Sequence, residues 1–131
     1  MATIERFEDV KAWQNARELC KMIHHFTLKT AFSKDYRLVG QIKSSSGSIM
    51  DNIAEGFERN GKKEFLQFLS ISKGSCGETR SQLYRALDNE YILQSEFDQA
   101  LHKAEDLSKM ISGFMDYLNK CEITGTKYKP K

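Results

Sequence analysis

Four long stretches of this sequence repeat apolar residues every three or four positions, and no proline interrupts them, because the only proline is Pro130. Such a repeat places apolar side chains on one side of an α-helix. The stretches lie at about 9–30, 34–57, 62–88 and 96–120. The pattern predicts an all-α fold, an antiparallel up-down-up-down four-helix bundle that forms one domain over 1–131, with a loose polar tail at 122–131.

Turn and capping residues separate the four stretches. Ser33 is predicted to cap the second helix, and Asn60-Gly61 is a turn-forming pair before the third. The Ser95-x-x-Asp98 pattern resembles a capping box for the fourth helix. Because the connections are short, neighbouring helices are predicted to run antiparallel.

The composition excludes several classes of protein. The chain is 40% hydrophobic and 29% charged, which is ordinary for a soluble globular protein. No stretch approaches the ~20 apolar residues that a membrane-spanning helix needs. The three cysteines, Cys20, Cys76 and Cys121, form no zinc pattern and suit a reducing compartment. Because the N-terminus also lacks an apolar signal core, we expect a cytoplasmic location and no membrane partner.

Two regions carry more apolar side chains than a lone bundle needs. Apolar residues near the start of the third helix point around most of its circumference, and the first helix also has some away from its buried seam. Large exposed apolar patches usually mark contacts between proteins. We therefore predict a homo-oligomer, and a loop folded over these side chains is the alternative interpretation. The candidate interface residues are Val10, Trp13, Leu66, Phe68 and Ile71.

Four glycines, Gly40, Gly47, Gly74 and Gly77, lie inside the predicted helices. Each costs about 1 kcal/mol relative to alanine in a helix interior. The total of about 4 kcal/mol is large beside a typical net stability of about 5–15 kcal/mol, so something must offset it. We interpret these glycines as places where two helices of the bundle pack closely, in preference to a ligand site.

The sequence offers no catalytic or metal-binding pattern. His24 and His25 are adjacent, so their side chains diverge by about 100° on a helix and cannot chelate one metal ion as histidines four apart do. His102 has no glutamate three residues before it, which excludes the di-iron motif of helical bundles. Ser70-x-x-Lys73 lacks the companion motifs of the enzymes that use this pattern. The sequence therefore predicts no enzyme activity, no metal and no cofactor.

Basic residues leave nucleic-acid binding as a hypothesis. A net charge of +2 is not strongly basic, but a basic patch repeated around an oligomer can attract phosphates. Asn52, Glu55 and Arg59 share one helical face, where we favour interhelical salt bridges over a recognition surface. The candidate nucleic-acid contacts are Lys43, Arg59, Lys63, Lys73 and Arg80.

Several motifs occur together at a characteristic spacing. They are Phe7-Glu8-Asp9-Val10-Lys11-Ala12-Trp13, Leu38-Val39-Gly40-Gln41-Ile42, Asn52-Ile53-Ala54-Glu55-Gly56-Phe57-Glu58-Arg59, Lys63-Glu64-Phe65-Leu66-Gln67-Phe68-Leu69, Lys73-Gly74-Ser75-Cys76-Gly77-Glu78 and Gln82-Leu83. Over about residues 7–118 the chain resembles the four-helix-bundle family encoded in 23S rRNA intervening sequences, also labelled S23 ribosomal protein.

The resemblance implies a four-helix bundle without an established enzymatic activity. The family is similar to the accessory protein of diversity-generating retroelements, a barrel-shaped homopentamer that binds nucleic acid and the reverse transcriptase. The resemblance thus makes a pentamer the expected assembly and RNA or a nucleoprotein the expected partner. Lys43 keeps the first of two basic residues that the family often has after Gln-Ile, and Ser44 stands in place of the second.

These observations favour a non-enzymatic, homo-oligomeric four-helix bundle that acts as an RNA- or nucleoprotein-binding accessory protein. The alternative is a structural or protein–protein interaction module that binds no nucleic acid.

Overall fold

The computed structural model describes residues 4–121. A 3₁₀ turn at Phe7–Asp9 precedes the helices, which in chain order are α1 (Lys11–Thr27), α2 (Thr30–Ser33), α3 (Tyr36–Glu58), α4 (Lys62–Asp88) and α5 (Gln94–Lys120). No strand occurs within this part of the chain. The predicted all-α class is confirmed.

The four long helices form an antiparallel bundle. α3 packs between α1 and α4, and α5 packs against both α4 and α1. Ring contacts pair α4 with α5 in opposite directions, because Tyr84 meets Phe97 whereas Phe65 meets Phe114. The predicted up-down-up-down arrangement is confirmed. At ~1.5 Å per residue, the 27 residues of α4 extend for ~40 Å.

The repeated apolar residues of each helix meet in one core. Three phenylalanines join three helices at one end of it: the rings of Phe57 and Phe65 lie edge to face with centroids 5.9 Å apart, and those of Phe65 and Phe114 with centroids 5.4 Å apart. The large side chains with no exposure include Leu19, Ile23, Phe32, Leu38, Ile42, Ile49, Ile53, Leu69, Leu83 and Leu107.

The segment between α1 and α3 differs from the prediction. α1 ends at Thr27 rather than near residue 30, and the short α2 follows it. The predicted cap Ser33 belongs to α2, where its hydroxyl donates to the carbonyl oxygen of Thr30 at 2.8 Å. Asp35 caps α3 instead, because its carboxylate accepts a hydrogen bond from the backbone N–H of Leu38 at 3.0 Å.

The start of α5 also differs from the predicted capping box. The helix begins at Gln94, and the Glu96 carboxylate accepts a hydrogen bond from the backbone N–H of Leu93 at 2.8 Å. Asp98 accepts from the side chain of Gln94 and caps no backbone group. The Leu93 N–H, and then the ammonium of Lys29 in the link between α1 and α2, lower the pKa of Glu96. This carboxylate therefore ties the start of α5 to the link between α1 and α2.

Most of the helix glycines do not lie where two helices of the chain meet. A Cβ added at Gly40, Gly47, Gly74 or Gly77 has no neighbouring atom within 4 Å. The prediction that these four allow close packing inside the bundle is wrong. The glycine with that role is Gly56, where an added Cβ falls 2.6 Å from the Cβ of the α4 residue Phe68.

Polar side chains fill the contact between α3 and α4. The Ser45 hydroxyl donates to the Gln82 side-chain oxygen at 2.6 Å and lies 2.8 Å from the Thr79 hydroxyl. Further along, the hydroxyls of Ser48 and Ser75 lie 2.9 Å apart. Four of these residues are buried, and their hydrogen bonds replace those with water. Small hydroxyl residues thus let the two helices approach and fix their register.

Candidate nucleic-acid interface

One flank of α4 gathers two of the predicted basic contacts. Lys73, Gly77, Arg80 and Tyr84 are separated by four, three and four residues, so they lie on one side of the helix. Lys73 is exposed, Arg80 is half-buried and Tyr84 is 50% exposed. The stripe extends for ~16 Å along the helix axis. We call these four residues the α4 flank.

Contacts with α5 hold the α4 flank in place. Beneath it, the Cys76 thiol donates to the carbonyl oxygen of Ala104, with sulfur and oxygen 3.1 Å apart. At its end, the Tyr84 ring packs against the ring of the buried Phe97, with centroids 4.8 Å apart. The flank therefore borders the groove between α4 and α5, and a rigid part of the core supports it.

The two cations of the α4 flank have no carboxylate partner among residues 4–121. No Asp or Glu oxygen of this part of the chain lies within 4 Å of the side-chain nitrogens of Lys73 or Arg80. Gly77 lies between them, and an added Cβ there meets open space. The surface between the two charges is therefore flat enough for a ligand to reach the helix backbone.

Arg59 lies in a different electrostatic setting. Its guanidinium lies 2.9 Å from a Glu55 carboxylate oxygen and 3.6 Å from one of Glu64, and it stacks over the Phe68 ring at 5.2 Å from the centroid. The hydrogen bond to Glu55 raises the pKa of Arg59. Two carboxylates therefore compete with any phosphate for this guanidinium. The contact with Glu64 links α3 to α4, as the salt-bridge interpretation predicts.

The remaining basic candidates lie apart from the α4 flank. Lys43 is exposed on α3. Lys63 is exposed in the first turn of α4, ten residues before Lys73 and therefore ~15 Å away along the axis. Neither has a carboxylate within 4 Å among residues 4–121. The structure thus brings together Lys73 and Arg80 and leaves the other three candidates separate.

The predicted interface residues do not form one patch. Val10 is only 2% exposed and belongs to the hydrophobic core, so its side chain is not available to a partner copy and its prediction as an interface residue is wrong. Trp13 is half-buried against the edge of Phe7. These two positions fit the alternative of a segment folded over apolar side chains.

On α4, most of the additional apolar side chains are partly buried within the same chain. Leu66 and Phe68 are half-buried, whereas Ile71 is 52% exposed. Leu66 and Ile71 are five residues apart, which places them about 140° from each other around the helix. A partner copy that covers one of them would therefore use a different face of α4 from a copy that covers the other.

The described chain contains no arrangement suited to metal or thiol chemistry. Residues 4–121 hold no group of three His, Cys, Asp or Glu residues that could bind a metal ion. Burial is the main cause that raises the thiol pKa values of Cys20 and Cys76, which keeps both thiols protonated and unreactive. None of the helices in these residues is both long and apolar enough to cross a membrane.

An apolar groove of about 430 Å³ lies between the N-terminal segment and α5. Its walls include Ile4, Val10, Met110, Phe114 and Tyr117. Among residues 4–121, Asp9 and Lys11 are the only charged residues that line it, and neither is buried. The described residues therefore do not supply this groove with the convergent buried charged groups that give a ligand site its specificity.

Tyr84 is the residue of the α4 flank that sequence reasoning missed. Its position four residues after Arg80, on the same side of the helix, was readable from the sequence. Its exposure was not, because helical periodicity alone does not show how far α5 covers this side of α4.

The helices and their surfaces define an antiparallel four-helix bundle whose described residues carry a basic flank. The model of the 23S rRNA-intervening sequence protein family matches residues 8–113, and the chain belongs to this family. The chain is similar to the crystal structure, at 1.70 Å resolution, of a protein of unknown function from the S23 ribosomal protein family of Bacteroides thetaiotaomicron VPI-5482. That match has 19% identity and a TM-score of 0.73, and it covers 79% of this chain and 97% of the other. No curated protein matches the sequence.

Proposed function

We propose that this protein is a non-enzymatic accessory protein that binds RNA or a nucleoprotein through phosphate contacts. The observation that supports this proposal is the pair Lys73 and Arg80, two cations on one flank without a carboxylate within 4 Å among residues 4–121. They are seven residues apart, which is ~10 Å along the helix. At ~3.4 Å per nucleotide of a stacked strand, this separation matches phosphates about three nucleotides apart.

The two cations of one chain contribute little to nucleic-acid affinity, so we also propose that the protein acts as a homo-oligomer. Two neutralised phosphates on a single strand change the log–log salt slope by only about 1.4. A closed ring repeats the flank on each copy and raises the effective affinity by multivalency. The family resemblance makes a pentamer the expected ring, and exposed Ile71 is a candidate contact between copies.

The assembly has a direct test in solution. Light scattering coupled to gel filtration should give several times the chain mass of 15.1 kDa, and about 75 kDa for a pentamer. Ile71→Glu should lower that mass, because a carboxylate buried without a partner is strongly unfavourable. A wild-type mass of one chain at every concentration would contradict the assembly.

The binding test compares two pairs of substitutions in the same assay. Affinity for a single-stranded RNA is measured over a range of salt concentrations for the wild type, for Lys73→Ala/Arg80→Ala and for the control Lys43→Ala/Lys63→Ala. Each double variant removes two positive charges that have no carboxylate within 4 Å among residues 4–121, so a general loss of charge affects both alike. The first variant should lower affinity and reduce the slope by about 1.4 per bound flank.

Two results would contradict this proposal, the first its location on the α4 flank and the second the function itself. Equal losses in both variants would mean that net charge, and not the α4 flank, determines binding. If the assembled wild-type protein binds no RNA at low salt, the structural or protein–protein interaction module becomes the better interpretation.

A further inference from the structure

Tyr84 extends the α4 flank with an aromatic surface. Its ring is 50% exposed although it lies on a helix that is otherwise well packed. The Tyr84 ring packs against the ring of the buried Phe97, with centroids 4.8 Å apart and an angle of 63° between the two ring planes. The phenol lies one helical turn beyond Arg80, on the same side of α4. The ring is thus held in place on the core side and open on the solvent side.

The hydroxyl of Tyr84 has no structural hydrogen bond within the described chain. Among residues 4–121, the Tyr84 hydroxyl makes no hydrogen bond to a side chain or a backbone group. By contrast, the Tyr91 hydroxyl donates to the Asp35 carboxylate at 2.9 Å, and its ring stacks on Phe32. The Tyr91 hydroxyl therefore has a structural role. Tyr84 covers Phe97 with its ring, but its hydroxyl has no comparable role.

We propose that Tyr84 stacks on an unpaired base, and that the ligand class of the α4 flank is consequently single-stranded nucleic acid. The proposal rests on the phosphate contacts proposed above for Lys73 and Arg80. In a duplex the faces of the bases are covered by their neighbours, so a ring on a convex helix surface reaches only backbone and groove edges. A single strand can turn a base outward onto an aromatic ring.

The geometry supports one nucleotide spanning Arg80 and Tyr84. Four residues of helix advance ~6 Å, and both side chains lie on the same side of α4. A phosphate at Arg80 therefore leaves its base within reach of the ring. Gly77 and Lys73 continue the stripe in the other direction, where an added Cβ at Gly77 meets open space. The strand direction along the flank thus follows the axis of α4.

The test uses two substitutions at one position. Tyr84→Leu keeps an apolar side chain over Phe97 and removes the aromatic face, whereas Tyr84→Phe keeps both and removes only the hydroxyl. Each variant is first compared with the wild type for helix content and assembled mass. Affinity is then measured for a polyuridine strand about 20 nucleotides long and for an RNA duplex of the same length.

We expect Tyr84→Leu to weaken binding of the polyuridine strand by about 5- to 150-fold, the range that stacking of one base covers. Affinity for the duplex should be unchanged, and the salt slope should remain that of the wild type, because no phosphate contact is lost. Tyr84→Phe should bind the strand like the wild type. A polyuridine strand containing 5-iodouracil should crosslink to Tyr84 on irradiation.

Three outcomes separate this proposal from the one on which it rests. Stacking is overturned if Tyr84→Leu binds the strand like the wild type while Lys73→Ala/Arg80→Ala binds it weakly, and in that case the phosphate contacts stand. Stacking is also overturned if Tyr84→Leu lowers the affinities for strand and duplex equally, because an equal loss indicates that the packing of the protein has changed. No effect of either variant, or no binding at all, overturns the phosphate contacts as well.

Discussion

Gly56→Ala should destabilise the protein although alanine is the better helix former. The added Cβ falls 2.6 Å from the Phe68 Cβ and 2.9 Å from the Phe65 Cδ1. Because ordinary contacts begin near 3.4 Å, α3 and α4 must separate by about 0.8 Å. The Phe68 Cβ is attached to the backbone, so the helix itself must move. The Phe65 ring cannot turn away either, because Phe57 and Phe114 pack against it.

The expected size of the effect follows from two opposing contributions. Overpacking a core typically costs about 1–3 kcal/mol, and the rigid neighbours place this site at the upper end. Replacing glycine by alanine in a helix returns about 1 kcal/mol. The net loss should be about 2 kcal/mol, which lowers the melting temperature by about 8 °C at ~4 °C per kcal/mol.

Gly47→Ala is the matched control, since it is the same substitution on the same helix. An added Cβ at Gly47 has no neighbour within 4 Å, so only the helix propensity changes. We expect a gain of up to about 1 kcal/mol. The two variants should therefore differ by about 3 kcal/mol.

Urea unfolding followed by circular dichroism measures this difference. All proteins are compared at one protein concentration, because assembly makes the apparent stability depend on concentration. If Gly56→Ala is as stable as the wild type, the claim that α3 and α4 pack too closely at Gly56 to admit a Cβ is contradicted. A loss of more than 1 kcal/mol in Gly47→Ala would mean that a neighbouring chain covers that glycine.

Two further predictions concern polar groups. Ser45→Ala should lower the free energy of unfolding by about 1–3 kcal/mol, because the buried side-chain oxygen of Gln82 loses the Ser45 hydroxyl as its donor. Urea unfolding should show that the double variant Ser45→Ala/Gln82→Leu recovers part of this loss. No recovery would contradict the role given to this hydrogen bond. The Leu38 N–H, and then the Tyr91 hydroxyl, lower the pKa of Asp35, so its contribution is present above the unfolded pKa of about 4 and is lost as the pH falls through the lower folded value. Melting temperatures measured from about pH 6 to pH 3 should fall less steeply for Asp35→Asn than for the wild type, and parallel curves would contradict this.

Helical periodicity was sufficient to predict the fold because each long helix must bury one continuous side. The ends of the helices were harder to predict, since several residues compete to cap them. Ser33 has the chemistry of a cap, but it bonds within α2 and leaves α3 to Asp35. Glu96 takes the role expected of Ser95 and Asp98 because its side chain reaches the Leu93 N–H.

The charge and the exposure of surface residues were less predictable than the fold, because they depend on distances between helices that are separate in the sequence. Arg59 is one of several basic residues in the sequence, and its neutralisation by Glu64 requires the turn at Asn60-Gly61 to bring α4 back beside α3. Helix glycines show a similar ambiguity, since their spacing does not tell which side is covered. Gly56 differs from Gly47 only in what lies opposite it.

The location of nucleic-acid binding is the central claim, and amide chemical shifts of ¹⁵N-labelled protein titrated with a polyuridine strand test it most directly. Transverse-relaxation-optimised spectra suit an assembly of the expected mass. We predict that the largest changes fall between Lys73 and Tyr84 on α4, and that the amides of Lys43 and Lys63 change little. Changes concentrated outside the α4 flank, or no change at low salt, would contradict the account.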